Sequence, residues 1–187
     1  MSAEKITEMR LQIMELRKQI AALQKVLPKH SVNDYTFTTL EGEVKLSTLF
    51  GDHDNLFMVH NMGISCNYCM LWSDGFNGVA GHLQNRAAFV ITSPDSPDVQ
   101  QQHKSERGWQ FPMVSVENNT FAGDMGFHTD DGYMPGVSVF KREGKKVVRV
   151  ASSMFGPGDD FCAVWHLLDL LPEGSNGWQP EPTYQSA

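Results

Sequence analysis

The chain has 187 residues, of which 41% are hydrophobic and 20% are charged, and its formal net charge is -7. This composition is ordinary for a globular protein, and the length suits one domain with an appendage better than two full domains. A negative surface repels phosphate backbones and the chain has no dense Lys/Arg stripe, so we expect no nucleic-acid binding. No apolar run approaches the roughly 20 residues that span a bilayer, so we expect no membrane segment.

Residues 1–30 are predicted to form an N-terminal helical extension that ends at Pro28. Seven apolar residues recur at alternating spacings of three and four, which is the a/d pattern of a coiled-coil helix. They are Ile6, Met9, Ile13, Leu16, Ile20, Leu23 and Leu27. Two interpretations remain open, because three heptads are marginal for an isolated coiled coil. The helix either lies on its own domain or pairs with a second copy of the chain in a homodimer.

The next part of the chain alternates between strand and helix signals. The patterns predict strands over 35–38, 55–60, 86–92, 111–116, 136–140 and 146–150, and helices over 66–83, 97–107, 118–125 and 159–171. Such alternation predicts an α/β domain over residues 31–174, with a central mixed sheet flanked by helices on both faces. Residues 175–187 are rich in Gly, Pro, Ser and Gln, so we expect a loose C-terminal tail.

The chain has three cysteines, Cys66, Cys69 and Cys162. An odd and small number of cysteines is not the framework of a secreted disulfide-rich protein. The charged N-terminus also lacks the apolar core of a signal peptide, so we expect a cytoplasmic location. In a reducing cytoplasm a Cys-x-x-Cys pair is typically catalytic or metal-binding rather than a permanent bridge.

Cys66 and Cys69 stand at the predicted start of a helix, directly after a buried strand and a short loop. Unpaired backbone N–H groups and the positive end of the helix dipole favour a thiolate at this place, so Cys66 is predicted to attack a substrate disulfide. Cys69, one helical turn later and more buried, is predicted to resolve the mixed disulfide. The alternatives are two structural cysteines or a metal site, although a zinc site would need a second ligand pair with metal-ligand spacing. No dissociable cofactor is required, because the cysteines themselves carry the electrons.

The order of elements around this pair resembles thioredoxin. In that family a cis-proline precedes the first hairpin strand and lies against the active cysteine, and the resemblance assigns Pro135 to this position. Thioredoxins also have a buried acid six residues before the first cysteine, where this chain has His60. The resemblance makes His60 a candidate proton acceptor for Cys69, since histidine titrates near neutral pH. The alternative is a hydrogen-bonded strand residue without a role in the chemistry.

The chain also departs from the familiar patterns. Asn67 and Tyr68 replace the Gly-Pro pair between the thioredoxin cysteines, which leaves the direction of electron flow open. A peroxiredoxin would have a Pro and a Thr or Ser at fixed positions before its peroxidatic cysteine. This chain has Val59 and Gly63 there, so the peroxidase motif is absent.

A closer resemblance covers nearly the whole chain. Residues 59–63, 71–78 and 107–112 resemble an uncharacterised bacterial thioredoxin-like family, as do the Leu-Pro at 27–28 and the Tyr-x-Phe at 35–37. That family is a domain of unknown function, predicted to be a dithiol-disulfide oxidoreductase of the AhpC/thioredoxin-like type. The resemblance therefore implies a thioredoxin-like fold, and it implies function only by analogy.

Four side chains around the helix start are predicted to shape the substrate groove. Asn67 and Tyr68 lie between the cysteines, and Trp72 and Asp74 follow on the same helix. For Trp72 and Asp74 the alternative is core packing and a local hydrogen bond.

Two functional hypotheses follow from the sequence. The first is a cytoplasmic dithiol-disulfide oxidoreductase whose substrate is a disulfide-containing protein or a small-molecule thiol, and whose reductant is another thiol protein or glutathione. The second is a non-catalytic thioredoxin-like module that binds a partner or senses redox state.

Overall fold

The structure is a computed structural model in which residues 2–184 are described. Its helices are α1 (Ala3–Gln24), α2 (Asn67–Arg86), α3 (Pro97–Arg107), α4 (Phe121–Asp124) and α5 (Ala163–Leu168). Its strands are β1 (His30–Val32), β2 (Thr36–Thr39), β3 (Gly42–Lys45), β4 (Asn55–His60), β5 (Ala88–Ser93), β6 (Met113–Ser115), β7 (His128–Thr129), β8 (Gly132–Tyr133), β9 (Gly136–Glu143) and β10 (Lys146–Met154).

Eight of the strands form one mixed sheet in the order β1-β10-β9-β4-β5-β6-β2-β3. The three strands β4, β5 and β6 are parallel to one another, and every other neighbouring pair in this sheet is antiparallel. The remaining two strands, β7 and β8, form a small antiparallel pair of their own. The predicted mixed α/β sheet is therefore confirmed, with β4 and β5 near its centre.

The sheet has an apolar cluster on each face, because side chains alternate along a strand. In β4, Phe57 and Val59 pack with the cluster that includes α2, whereas Leu56 and Met58 pack with the cluster on the other side. We call the face carrying Phe57, Val59 and α2 the thiol face, and the opposite face the histidine face. Burying a large apolar side chain stabilises a fold by about 1.5–3 kcal/mol, so both clusters hold the sheet in register.

Helix α1 lies apart from both clusters. It ends at Gln24, before the predicted end at Pro28, so Leu27 lies beyond it. None of the residues of α1 is buried, and the seven apolar residues of the predicted a/d pattern, Leu27 included, are 47% to 64% exposed. An ion pair between Arg17 and Asp160 ties the helix to the rest of the chain. The structure therefore does not show α1 packed on its own domain, and the homodimer stays a prediction.

The final helix is shorter than the predicted 159–171 at both ends, and its late start is due to a turn built by Asp159. Its carboxylate accepts hydrogen bonds from the backbone N–H groups of Gly156, Phe161 and Cys162, so α5 begins only at Ala163. A carboxylate that captures backbone donors in this way competes with helix formation.

The C-terminal segment, for which a loose tail was expected, contacts the domain at Trp178 and at Pro182. The Trp178 ring lies 6.2 Å from that of Trp165, and Arg107 donates a hydrogen bond of 2.9 Å to the Pro182 carbonyl. The partly buried Trp178 ring thus packs against the apolar cluster of the thiol face. Residues 185–187 of the predicted tail lie outside the described residues. In the part of the chain that is described, no helix is long and apolar enough to cross a membrane.

Candidate functional site

The two cysteines stand at the N-terminus of α2, as the sequence predicted. Cys66 is the N-cap residue, and its Sγ accepts a hydrogen bond of 3.1 Å from the backbone N–H of Cys69. Cys66 is half-buried, whereas Cys69 is only 3% exposed. Both are free thiols in the structure. One sulfur is therefore open to a substrate and the other lies behind it, within the first turn of the helix.

The surroundings move the pKa values of the two thiols in opposite directions. The pKa of Cys66 is lowered to about 7, first because the Cys69 side chain donates a hydrogen bond to its sulfur. Burial opposes this effect, and the backbone N–H groups of Cys69 and Tyr68 add to it. The pKa of Cys69 is raised, because its proton is engaged by Cys66 and because it is buried. At neutral pH a large fraction of Cys66 is consequently thiolate, which is the nucleophilic form.

The loop before α2 holds both cysteines through its backbone. Met62 N–H donates to Cys69 Sγ at 3.4 Å, and the Gly63 carbonyl accepts from Cys66 N–H at 3.1 Å. The Asn61 side chain accepts from Gly63 N–H at 2.8 Å and donates to Ser73 on α2 at 3.3 Å. The positions of the sulfurs are therefore fixed by hydrogen bonds with the backbone of this short loop.

Two of the four predicted groove residues lie beside the thiols at the start of α2. Asn67 and Tyr68 are both partly exposed, and the Tyr68 ring packs 6.3 Å from Trp72 and 6.0 Å from Trp165. Trp72 is 3% exposed and belongs to the apolar cluster of the thiol face. Trp72 therefore packs in the core under the start of α2 and does not line the mouth of a groove, so core packing describes this residue better than a groove role does.

Asp74 joins helices and does not line the mouth of the thiol site. Its carboxylate pairs with the Arg107 guanidinium, with one contact of 3.0 Å, and accepts a hydrogen bond of 2.8 Å from the Trp109 indole N–H. These partners lie at the end of α3 and just beyond it. Asp74 therefore fixes α2 against that segment. This is the structural role that the sequence analysis gave as the alternative to lining a substrate groove.

His60 lies on the histidine face, across the sheet from the two thiols. Its ring stacks on Phe127 at 3.8 Å and on Phe121 at 5.4 Å, and its Nε2 lies 2.9 Å from Ser138 Oγ. Burial lowers the pKa of His60 to about 3, with a further contribution from the charge of Arg149. Because side chains alternate along β4 and Val59 belongs to the thiol face, the next residue points away from it. This placement does not support direct proton transfer from Cys69, so we do not retain that role.

Pro135 stands directly before β9, at the position that the thioredoxin resemblance assigned to it. Every peptide bond within the described residues is trans, so Pro135 is not the cis-proline that the resemblance implied. Its carbonyl accepts a hydrogen bond of 2.9 Å from Phe155 N–H, and the next residue, Gly136, pairs with His60 across β9 and β4. Pro135 thus helps to fix the edge of the sheet at which the thiol loop begins.

Asp95 is a site residue that the sequence analysis missed. Its carboxylate accepts hydrogen bonds from Ile64 N–H at 3.2 and 3.4 Å and from Ser93 Oγ at 2.8 Å. The only sequence signal for Asp95 is that it closely follows a predicted strand; the parallel pairing of β5 with β4, which brings it to the thiol loop, is seen in the structure.

Cys162 is buried in the apolar cluster of the thiol face, and burial raises its pKa. It therefore lacks the thiolate character of Cys66. Within residues 2–184 there is no group of three or more His, Cys, Asp or Glu side chains that could hold a metal ion.

Comparison with solved structures yields proteins of the same fold at low sequence identity. Peroxiredoxin Q of Xanthomonas campestris is 17% identical with a TM-score of 0.57, over 70% of this chain and 87% of the other. Reduced Prx3 of Vibrio vulnificus, in complex with H2O2, is 13% identical with a TM-score of 0.57, over 72% and 88%. A hypothetical protein of Sinorhizobium meliloti 1021 is 14% identical with a TM-score of 0.54, over 84% and 89%. These likenesses confirm the predicted thioredoxin-like fold.

Among curated proteins the comparison found no match. The chain does match a protein family over residues 4–185, which is nearly its whole length. This match confirms the resemblance to an uncharacterised bacterial family that the sequence motifs indicated. With its thioredoxin-like fold and its Cys66–Cys69 pair, the chain belongs to the family described as a bacterial protein of unknown function, DUF899.

Proposed function

We propose that this protein exchanges electrons with disulfides through Cys66 and Cys69. The observation that carries the proposal is the contrast between the two thiols: Cys66 is half-buried with a pKa lowered to about 7, and Cys69 is buried with a raised pKa. A nucleophile that ionises near neutral pH beside a thiol that keeps its proton is the arrangement that thiol-disulfide exchange requires.

The reaction proceeds in two exchanges. The Cys66 thiolate attacks one sulfur of a substrate disulfide and forms a mixed disulfide, while the other substrate sulfur leaves with the electron pair of the broken bond and takes up a proton. Cys69 then loses its proton and attacks Cys66 Sγ. The second substrate sulfur leaves as a thiolate and is protonated, so the substrate gains two electrons and two protons and the protein is left with a Cys66–Cys69 disulfide.

The substrate class is a disulfide-containing protein or a small-molecule thiol in its disulfide form. Partial exposure of Cys66, Asn67 and Tyr68 supports an approach from the N-terminal end of α2. We place the reaction in a reducing cytoplasm, where another thiol protein or glutathione returns the pair to the dithiol.

Reduction of insulin by dithiothreitol tests this proposal. The wild-type protein is expected to accelerate the reaction and Cys66→Ser to abolish the acceleration. Reduced Cys69→Ser, freed of dithiothreitol and then mixed with insulin, is expected to accumulate a covalent mixed disulfide visible by mass spectrometry. Cys162→Ser is the matched control, because it removes a buried thiol of the same face without touching the pair, and it should retain the wild-type rate. Equal rates for wild type and Cys66→Ser would sink the proposal and favour a non-catalytic binding or redox-sensing module.

A further inference from the structure

Asp95 reaches the thiol loop from the neighbouring strand. Strands β4 and β5 are parallel, so their carboxyl ends lie at one edge of the sheet, and the chain leaves β5 beside the loop that leads to Cys66. The half-buried Asp95 carboxylate binds the backbone N–H of Ile64 at 3.2 Å, and Ser93 Oγ holds the same carboxylate at 2.8 Å. The carboxylate is therefore fixed against the loop by two donors, and it remains partly open to solvent.

The same loop connects Asp95 to Cys69. Met62 N–H contacts Cys69 Sγ, and Ile64, two residues later, contacts Asp95. The residue between them is Gly63, which has a φ of +103°. A Cβ on Gly63 would lie 3.1 Å from the Asp95 carboxylate, so glycine permits the close approach. A cavity of about 10 Å³, close to the size that holds one water, is bordered by Asn61, Gly63 and Asp95.

Resolution of a mixed disulfide requires a proton acceptor for Cys69, which is buried and has a raised pKa. The negative charge of Asp95 is close enough to contribute to this raised pKa. His60 lies on the other face of the sheet, and Cys66 has no free thiolate once it is joined to a substrate. The other titratable side chain at this cavity is His103 of α3, whose Nδ1 lies 3.8 Å from Glu106.

We infer that Asp95 accepts the proton of Cys69 during the resolving step, an inference that rests on the proposed function. The proton moves from Cys69 Sγ to the Asp95 carboxylate, and the Cys69 sulfur forms its bond to Cys66 Sγ. The bond between Cys66 and the substrate sulfur breaks, and its electron pair leaves with the substrate thiolate. Asp95 then releases the proton to solvent, where it neutralises the leaving thiolate, so the step uses no further reactant.

The test separates attack from resolution in a single turnover. In a Cys162→Ser background, reduced protein is mixed with dithiobis(nitrobenzoate), which releases one coloured thiolate when Cys66 attacks and a second when Cys69 closes the disulfide. Asp95→Asn keeps the size of the side chain and removes its charge. We expect it to slow the second release by about 10²-fold, the lower end of what a positioned general base contributes, and to leave the first release within a few-fold of wild type.

Asp98→Asn is the matched control, because Asp98 is an exposed acid in the first turn of α3 and its loss changes the net charge equally. It should leave both releases unchanged. Asp95→Glu, which retains a carboxylate, is expected to recover part of the second rate. If Asp95→Asn does not fold, Asp95→Ser carries the same expectation, since it also removes the charge.

The outcomes distinguish the inference from the function on which it rests. If the wild type releases only one coloured thiolate, the pair does not close and the proposed function itself fails. If the wild type releases two and Asp95→Asn keeps the second rate, the role of Asp95 is overturned while the dithiol chemistry stands. Equal slowing of both releases would also overturn it, because Asp95 would then act only by supporting the loop.

Discussion

Hydrogen bonding gives Cys66 and Cys69 different properties, although their sequence spacing alone would allow either to be the nucleophile. Cys66 caps the helix and accepts hydrogen bonds, whereas Cys69 lies inside the first turn and donates its proton. The largest cause of the lowered pKa of Cys66 is this contact with the neighbouring side chain, and the backbone contributes less. The helix start alone, which the sequence analysis emphasised, is therefore only part of the reason.

Removing the donor should consequently raise the pKa of Cys66. In a Cys162→Ser background, Cys69→Ala is expected to move the midpoint of Cys66 alkylation from about 7 toward the ordinary thiol value of about 8.5. The measurement is the rate of iodoacetamide alkylation across a pH series. Cys69→Ser is the control, since its hydroxyl can still donate and should preserve part of the shift. An unchanged midpoint in Cys69→Ala would assign the shift to the backbone instead.

The buried His60 should make the free energy of unfolding fall at acid pH. Its pKa is about 3 in the folded protein and about 6.5 in an unfolded chain, so between these values the unfolded state binds more protons. The stabilisation from neutral His60 is fully present above pH 6.5 and is lost as the pH falls toward 3. We expect the free energy of unfolding to fall by on the order of 3 kcal/mol between pH 7 and pH 4 from this residue alone.

Urea denaturation of the wild type and of His60→Gln at pH 7, 5 and 4 measures this contribution. Glutamine can still donate to Ser138 but does not titrate, so the variant loses less stability on acidification. It starts less stable at pH 7, because it lacks the ring that stacks on Phe127. Parallel loss in the two proteins would show that other groups govern the acid response.

Helix α1 presents an apolar stripe that the rest of the described chain does not cover. The six residues of the a/d pattern that lie in α1 are each about half exposed, and burying an Ile or Leu stabilises an assembly by about 1.5–3 kcal/mol. The stripe therefore favours a partner helix, and a second copy of the chain supplies an identical one.

We expect the wild type to be a dimer and the double variant Ile13→Asp with Ile20→Asp to be a monomer, because two carboxylates in the stripe would be buried without partners. Light scattering coupled to gel filtration gives the molar mass. The matched control is Leu11→Asp with Met14→Asp, which places the same two charges at exposed apolar positions outside the a/d pattern. A wild type of monomeric mass, or a double variant of unchanged mass, would contradict the dimer.

The elements that the sequence predicted best are those with strong local patterns. The buried run at 55–60 became β4 without change, and the helix at 97–107 became α3 with the same bounds, ending at a glycine in the left-handed region. The edge strands β1 and β3 escaped prediction, because three or four mostly exposed residues carry no periodic signal and depend on distant partners. The late start of α5 reflects a side-chain turn rather than helix propensity.

The residues of the candidate site likewise differ in whether a local sequence pattern predicts their position. The position of Cys66 and Cys69 is local, since a strand, a loop and a helix start are adjacent in the sequence, and it was predicted. Asp95 reaches them only through the pairing of β4 with β5, which no local pattern reveals. Strand alternation predicts that His60 and Val59 face opposite sides of the sheet, but only the structure shows that Val59 packs toward α2 and that His60 therefore lies away from the thiols.

At the scale of the whole molecule, the central sheet is lined by apolar side chains on both faces. On the thiol face they surround Cys69 and the aromatic rings under α2, and on the histidine face they surround His60. The fold thus keeps His60 and the Cys66–Cys69 pair, whose pKa values are strongly shifted, on opposite sides of the central sheet.

This separation has a consequence for how the protein behaves when its surroundings change. The central sheet, a layer of hydrocarbon and paired backbone, separates the thiol face, where oxidants act, from the histidine face, where protons act. The part of the pH dependence of stability that comes from His60 should therefore be the same in the dithiol and disulfide forms. Each response can then be tuned by substitutions on its own side of the sheet, without disturbing the other.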